Sequence, residues 1–501
     1  MKKVTQLFLL AGALFVGGCD KYLDINNDPN RQKEDKIPMA QVLTGLTLNV
    51  GFTGGSDIQR HTGLIMQHYS GQTTGGETQT QAFEKYLIQA TELNNLFSSI
   101  HATSIQDAEM VIKQAKAEGS PHYAGVAKLL KAYTYHQAVD VWGDQPFSEA
   151  QQLLGNLFPK YDNDEEIYTK LFTLIDEALT DINAASSIQS PGTNSTIYTG
   201  AWTAQKTKWI RFANTLKLRL CIHYSKFNKA DAVAKITTLV NSGVEFMTGN
   251  ADNFSHVFQT ASRRQNPIHQ FELDRSNYIF PNNTLVSMMV AKADPRLPFY
   301  FTDFPANSGS YKGAKAADVA SQKYSRIHSY LRGTVTNVGT PLAGGDWNGS
   351  GVNSISYNGA GPIRMLTFAE YNFIRAEAAL YGAPGDAQTF FTAAITAAMN
   401  EAGVAGGNIT TYLGAHGTLT GTDDEKLKQI IEEKYVSGYG VAVEPWTDWR
   451  RTGYPVLTLP SNAILNGVPR SLLYPASEIE LNRNAPPQKA NMLDRVFWDK
   501  P

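Results

Sequence analysis

Cysteine is almost missing from this chain: 501 residues hold two, Cys19 and Cys221. That excludes a disulfide framework of the kind that staples small secreted domains. A dominant charge is missing as well. With 44 basic and 46 acidic side chains, the formal net charge is −2, so no basic excess exists to neutralise nucleic-acid phosphates. Long apolar runs are absent, because the stretch from Leu7 to Val16 is shorter than the roughly 20 residues that cross a bilayer. The catalytic signatures HExxH, CxxC, GxSxG, GxGxxG and the phosphate-binding P-loop do not occur. Nothing in the sequence therefore points to a cofactor, a metal or a nucleic-acid partner.

A hydrophobic fraction of 42% fits a folded body, and a chain of this length calls for one large α-rich domain or two intertwined lobes. The first residues read as a targeting segment. Lys2 and Lys3 precede the short apolar run, and Val16-Gly17-Gly18 stands before Cys19. This resembles the lipobox of bacterial lipoproteins, with residues 1–18 as signal peptide and Cys19 as the lipidated residue. An acylated Cys19 leaves Cys221 without a disulfide partner, and acyl chains anchor a water-soluble body to a membrane rather than thread it through. Residues 19–36 read as a flexible tether, with Asn-Asp-Pro-Asn at 27–30 marking a turn. From Asp20 to Lys36 such a tether reaches at most about 55–60 Å.

From Pro38 onward the pattern is helical. Ile167, Leu171, Leu174, Ile175, Ala178 and Ile182 form one stripe, with Asn163 and Glu166 spaced as a capping box. Trp209, Phe212, Leu216 and Leu220 form another, with Cys221 beside Leu218 on a different side as a buried, inert thiol. Tyr123, Val126, Leu130 and Tyr133 form a third, which Gly143 and Pro146 bring to an end. The run "TFAEYNFIRAEAALYG" is apolar on two faces and should be sandwiched between neighbours. Asp386 is placed to cap the next helix and Gly403 to stop it. Helices starting near 123, 164 and 205 recur every ~41 residues, which suggests helix-turn-helix repeats of tetratricopeptide type. The expected fold is mostly α, a tetratricopeptide-like superhelix over residues 37–501. Residues about 245–364 form a long irregular, loop-rich excursion on its ligand-facing side. The stretch "GTPLAGGDWNGSGVNSISYNGAGP" is expected to hold no regular structure.

Candidate binding residues are aromatics beside amides and carboxylates, since sugar C–H faces stack on rings while polar groups bond the hydroxyls. These are Tyr278, Phe280, Asn282 and Asn283 in "DRSNYIFPNN"; Trp347, Asp346 and Asn348 in "GGDWNGSG"; and Tyr69, Gln67 and Gln72 in "MQHYSGQTTGG". Trp347 leads, because so little local chain surrounds it. His61 and His68, seven apart, show no third metal ligand, and Asp294 and Asp303 are the pair that a hydrolytic alternative would use. The cluster "VAVEPWTDWRRTGYPVL", with Trp446, Trp449, Arg450 and Arg451, reads first as a scaffold corner and second as a ligand clamp.

Several long stretches taken together resemble the SusD/RagB family of surface lipoproteins: Cys19 with "YLDINNDPN", "AKLLKAYTYHQAVDVWGDQPFSEA", "KWIRFANTLKLRLCIHYSK", "AEYNFIRAEAALYG", and "IIEEKYVSGYGVAVEPWTDWRRTGYPVL" followed by "PRSLLYPASEIELNRN". The resemblance implies a tetratricopeptide-like superhelix on the outer face of the outer membrane. It implies a lid on a SusC-like TonB-dependent β-barrel transporter that captures oligosaccharides, or in some members peptides, for import. It carries over no catalytic residue and, as a named functional position, only Cys19. A surface glycan hydrolase is the enzymatic alternative.

Overall fold

In the computed structural model, residues 37–72, 76–316 and 323–501 are described; the expected signal peptide, Cys19 and tether lie outside them. The predicted stripes become helices that pack in sequence. The Pro121–Trp142 helix, opened by proline at its first position, lies between Gln106–Ala117 and Asp164–Ile182. Trp202–His223 continues the series against Asp164–Ile182 and Lys229–Asn241. Phe368–Leu380 then packs against Ala387–Ala402, Asp423–Ser437 and Trp202–His223. Its residues 369–378 are all buried, as the two apolar faces require. The fold is mostly helical and tetratricopeptide-like, and among the described residues no helix is long and apolar enough to cross a membrane.

The caps follow local chemistry. Asp386 accepts the Thr389 N–H, and Gly403 ends that helix in the left-handed region at φ 87°. Asn163 caps through the Glu165 N–H, but Glu166 makes no reciprocal bond; the capping box falls instead at Thr422 and Glu425. Cys221 is buried with Leu218, and burial pushes its thiol up to about 12. It is inert at neutral pH.

Charged side chains tie the helices together inside the core. Arg219 grips Glu370 through two bonds of 2.7 and 2.6 Å, and its Nε lies 3.4 Å from Glu444. Glu444 also faces His223 at 3.1 Å and His136 at 3.4 Å. Burial alone would raise the Glu444 carboxyl, but Arg219 and the two histidines hold it well below the usual range. Nearby, the Arg450 guanidinium lies 3.9 Å from the Trp446 ring and 4.6 Å from the Trp498 ring. Arg451 pairs with Glu377 and Asp448, and Asp448 with Lys434. The 441–457 cluster is therefore a buried corner of the scaffold. Trp449 is its half-buried outer member, with Arg470 4.8 Å over its ring. Asp499, itself buried, closes the corner by pairing with Arg470, Arg495 and Lys226.

The excursion is more regular than expected. It holds the helices Pro267–Asp274 and Asn283–Ala291, and its strands pair antiparallel: Tyr69–Gly71 with Ile279–Pro281, Phe254–His256 with Ile363–Leu366, and Val335–Val338 with Ile355–Tyr357. Residues 339–362, expected to hold no regular structure, contain one of these strands and the bridges Leu342 to Asp346 and Asn348 to Ser354. Cross-strand pairing supplies order that the residue pattern alone does not show. The excursion is pinned to the scaffold where Arg296 and Lys292 meet Glu433 at 2.9 and 2.8 Å, with Tyr412 donating to the same carboxylate at 2.6 Å.

Candidate functional site

The strand pairing brings two of the predicted segments together. Tyr69, Ser70 and Gly71 lie opposite Pro281, Phe280 and Ile279, and Asn282 donates to the Tyr69 carbonyl at 3.3 Å. Thr284 donates to Gln67 Oε1 at 2.5 Å. The third segment arrives where Ser350 bonds Ser276 at 3.4 Å.

Most of the chosen side chains in these segments do structural work. Tyr69 is buried, and its hydroxyl accepts from Gln59. Gln67 and Gln72 are buried, and Gln67 donates to the Thr458 carbonyl at 2.6 Å. Asn282 caps the Asn283–Ala291 helix. Phe280 is 1% exposed, with the Arg326 guanidinium 4.4 Å from its ring. Trp347, read from sequence as having little chain to bury it, is 4% exposed. Its indole N–H has no partner among the described residues. Asp346 beside it is buried; burial pushes its carboxyl up to about 6, opposed by Arg326 and by the Trp347 backbone N–H. Tyr278, Asn283 and Asn348 remain partly open. Of the two aspartates of the hydrolytic alternative, Asp294 is buried and bound to Arg296 by bonds of 2.5–3.1 Å, while Asp303 accepts the Gly309 N–H in a turn.

Tyr278 leads to a cleft. Its ring meets Phe271 edge-on, with centroids 6.3 Å apart. Phe271 lines a cleft of about 460 Å³ between the Pro267–Asp274 helix and the segment around residues 52–61, with Gln79, Glu92 and Asn95 at its rim. That volume suits a small ligand. The helix Met39–Thr53 runs through a π-turn, Gly54–Ile58, into the helix Gln59–Ile65. Gly55 makes this path possible, because a Cβ there would lie 1.7 Å from Ile363 Cδ1. Extra-residue turns of this kind re-aim side chains and are frequent at functional sites. Here the turn sets Ser56 and Asp57 on the cleft beside Phe52, which is 45% exposed.

The electrostatics are mixed in sign. Arg60 pairs with Asp57 at 2.5 Å and lies 5.0 Å from the Phe271 ring centroid; Arg275 lies 5.7 Å from the same ring. Burial lowers the Arg60 guanidinium, Asp57 opposes this, and Arg275 adds to it. Arg275 and Asp274 make no ion pair among the described residues. Gln79 donates to Glu92 at 3.2 Å. His61 stacks on Phe83 with centroids 4.5 Å apart, and its Nδ1 donates to the Asp57 carbonyl at 2.6 Å. Burial, then the Arg60 charge, pushes His61 down to about 4, so the ring is neutral at pH 7. An open phenyl ring rimmed by unpaired charges, amides and a hydroxyl can stack a sugar ring and bond its hydroxyls. Of these residues, Asp274 and Arg275 stand in the "DRSNYIFPNN" stretch, and the Gly-Gly-Ser-Asp break in helical pattern at 54–57 signals the turn. Phe52, Arg60 and Phe271 carry no mark in the sequence.

For a metal, the group with suitable separations among the described residues is His136, Asp140 and Glu444, whose ligand atoms lie within 4.8 Å of one another. Arg219 already neutralises Glu444, and Tyr168 and Trp498 donate to Asp140, so the group fits an ion-pair knot better than a cation. His61 and His68 are buried separately: His68 bonds the Tyr435 carbonyl at 3.1 Å.

Known proteins agree with this architecture. No curated protein matches the chain. A solved chitin-binding protein superposes with a TM-score of 0.74 at 22% identity, covering 92% of this chain and 100% of its own. A chitin-binding SusD homologue from Flavobacterium johnsoniae gives 0.73 at 21%, covering 92% and 98%. A SusD-like protein from Bacteroides thetaiotaomicron gives 0.72 at 20%, covering 92% and 98%. At these identities the likeness speaks for the fold. The sequence profile of the SusD-like family, described as starch-binding and associating with the outer membrane, matches residues 29–475. Matched over nearly its whole length, the chain belongs to the SusD-like family.

Proposed function

We propose that this protein is a lipid-anchored glycan receptor on the bacterial surface. It captures oligosaccharides in the cleft between Phe52 and Phe271 and passes them to a SusC-like TonB-dependent outer-membrane transporter. The observation that carries this reading is the 45% exposed Phe52 ring at a cleft rimmed by Arg275, Asp274 and Asn95. An aromatic left in water beside unpaired polar groups is what a sugar face requires. Family membership, and relatives described as binding starch or chitin, support the ligand class. The glycan leaves unaltered; binding, not turnover, is the activity. A receptor that must release its cargo binds weakly, about −4 to −8 kcal/mol, from millimolar to micromolar. One open ring with a polar rim suits that range.

Calorimetric titration with chito- and malto-oligosaccharides tests the cleft. Phe52→Ala should weaken binding by about 1–3 kcal/mol, an estimate taken from base–aromatic stacking. Its melting temperature should fall only slightly, because Phe52 is already close to half exposed. Wild-type affinity in Phe52→Ala would remove the cleft from the proposal. Competition by a peptide library would replace glycan with peptide as cargo. Appearance of new reducing ends on polysaccharide would replace the receptor with a hydrolase. Co-purification with a β-barrel from gently solubilised outer membrane tests the transporter.

A further inference from the structure

The Ala387–Ala402 helix has an outward face unlike an ordinary solvent face. Its sequence, AQTFFTAAITAAMNEA, carries a single charged residue, Glu401. The neighbouring Asp423–Ser437 helix, DDEKLKQIIEEKYVS, carries charge throughout. Outward helix positions usually hold charged residues or strong helix formers. Here the outward stripe is Thr389, Thr392, Thr396 and Asn400, all of weaker propensity. That face is one wall of a groove of about 780 Å³. The other wall is the turn at Gly249 and Asn250, with Phe368, at the start of the preceding helix, at the base.

The geometry points to a second saccharide subsite in this groove, for a neutral sugar. No charged side chain lines it, so an anionic or cationic ligand would find no counter-charge. The floor is apolar: Ala393, Ala397 and Phe368 offer a surface for C–H faces. The rim is polar and fixed. Asn250 donates to the Ala397 carbonyl at 2.9 Å, which pins the turn to the helix. Its Oδ1 is buried with no partner among the described residues. Asn400 is exposed, and its amide makes no hydrogen bond among the described residues. A mostly apolar concavity of this size with a few placed amides fits a small ligand. The groove shares no residue with the Phe52–Phe271 cleft. A chain-like cargo held at two places on one receptor gains avidity without tight binding at either. The choice of sugar as ligand rests on the glycan reading above; the groove itself does not.

Methyl-labelled protein tests this. Ala393 and Ala397 methyls report the groove and the Ile268 methyl reports the cleft. Triacetylchitotriose, maltotriose and cellotriose are titrated separately into wild type, Phe52→Ala and Asn400→Leu. At least one sugar should shift Ala393 and Ala397 saturably, equally in wild type and Phe52→Ala. Asn400→Leu should weaken that response at least fivefold and leave Ile268 unchanged. Still alanine methyls with all three sugars overturn the subsite; if Ile268 responds, the cleft reading survives. Alanine shifts that vanish in Phe52→Ala also overturn it, because they are then transmitted from the cleft. Alanine shifts without any Ile268 response uphold the groove and sink the cleft.

Discussion

Glu433→Gln should loosen the excursion from its scaffold, and by an amount that depends on pH. Glu433 is 1% exposed and receives Arg296 at 2.9 Å, Lys292 at 2.8 Å and Tyr412 at 2.6 Å. Burial alone would raise its carboxyl, but the two cations outweigh burial and bring it to about 2, from an ordinary 4.5. A gap of about 2.5 units is worth about 3 kcal/mol at pH 7, similar to the ~3–5 kcal/mol lost when a buried pair loses one partner. The folded value is depressed, so this stability is present above the unfolded pKa and drains as pH falls from about 4.5 toward 2. At pH 3 less than half of it remains. Urea unfolding at pH 7 and pH 3 should therefore give Glu433→Gln a deficit that shrinks by roughly 2 kcal/mol at the lower pH. Equal deficits at the two pH values, or none at pH 7, would refute the ionised clamp.

Gly55→Ala should cost more than the ~1 kcal/mol that such a change usually gains in a helix, with the opposite sign, because its Cβ meets Ile363; a midpoint equal to wild type in thermal melting would count against the close approach. Trp347→Ala should lower stability by about 3–5 kcal/mol, since the ring is 4% exposed, and any loss of sugar binding should appear together with that thermal shift. Cys19→Ala should move the protein from the membrane fraction to the soluble fraction, while calorimetry on the soluble form returns the same oligosaccharide affinity; continued membrane retention would disprove acylation at Cys19.

The scaffold was readable because its information is local. Stripes such as Ile167–Leu171–Ile175 and caps such as Asp386 act within one or two turns, and each emerged where its spacing put it. Errors came where a bonding partner decides. Asn163 and Glu166 have capping-box spacing, yet Asn163 caps the Glu165 N–H and Glu166 does not bond back. Residues 339–362 carry no local pattern, but Val335–Val338 pairs with their strand and the bridges close within the stretch itself. The site was half legible for the same reason. Composition picked out the three segments that converge, and strand pairing joined two of them. It could not tell which side chains face inward, so Phe280 and Trp347 were chosen and Phe52 was not. Phe52 sits within an apolar helical run, and it faces outward with Leu48, one helical turn before it.

The buried corner has a consequence for the order of events when the chain is made. Trp498 and Asp499 complete contacts with Arg450 and with the far earlier Asp140 and Lys226. Until they emerge, Arg450 lacks one of its two stacked rings and Asp140 lacks its indole donor. The Pro121–Trp142 helix packs first on its sequence neighbours, and only its Asp140 end waits for the C-terminal segment. Closing the corner thus joins parts of the chain that are 273 and 358 positions apart in sequence.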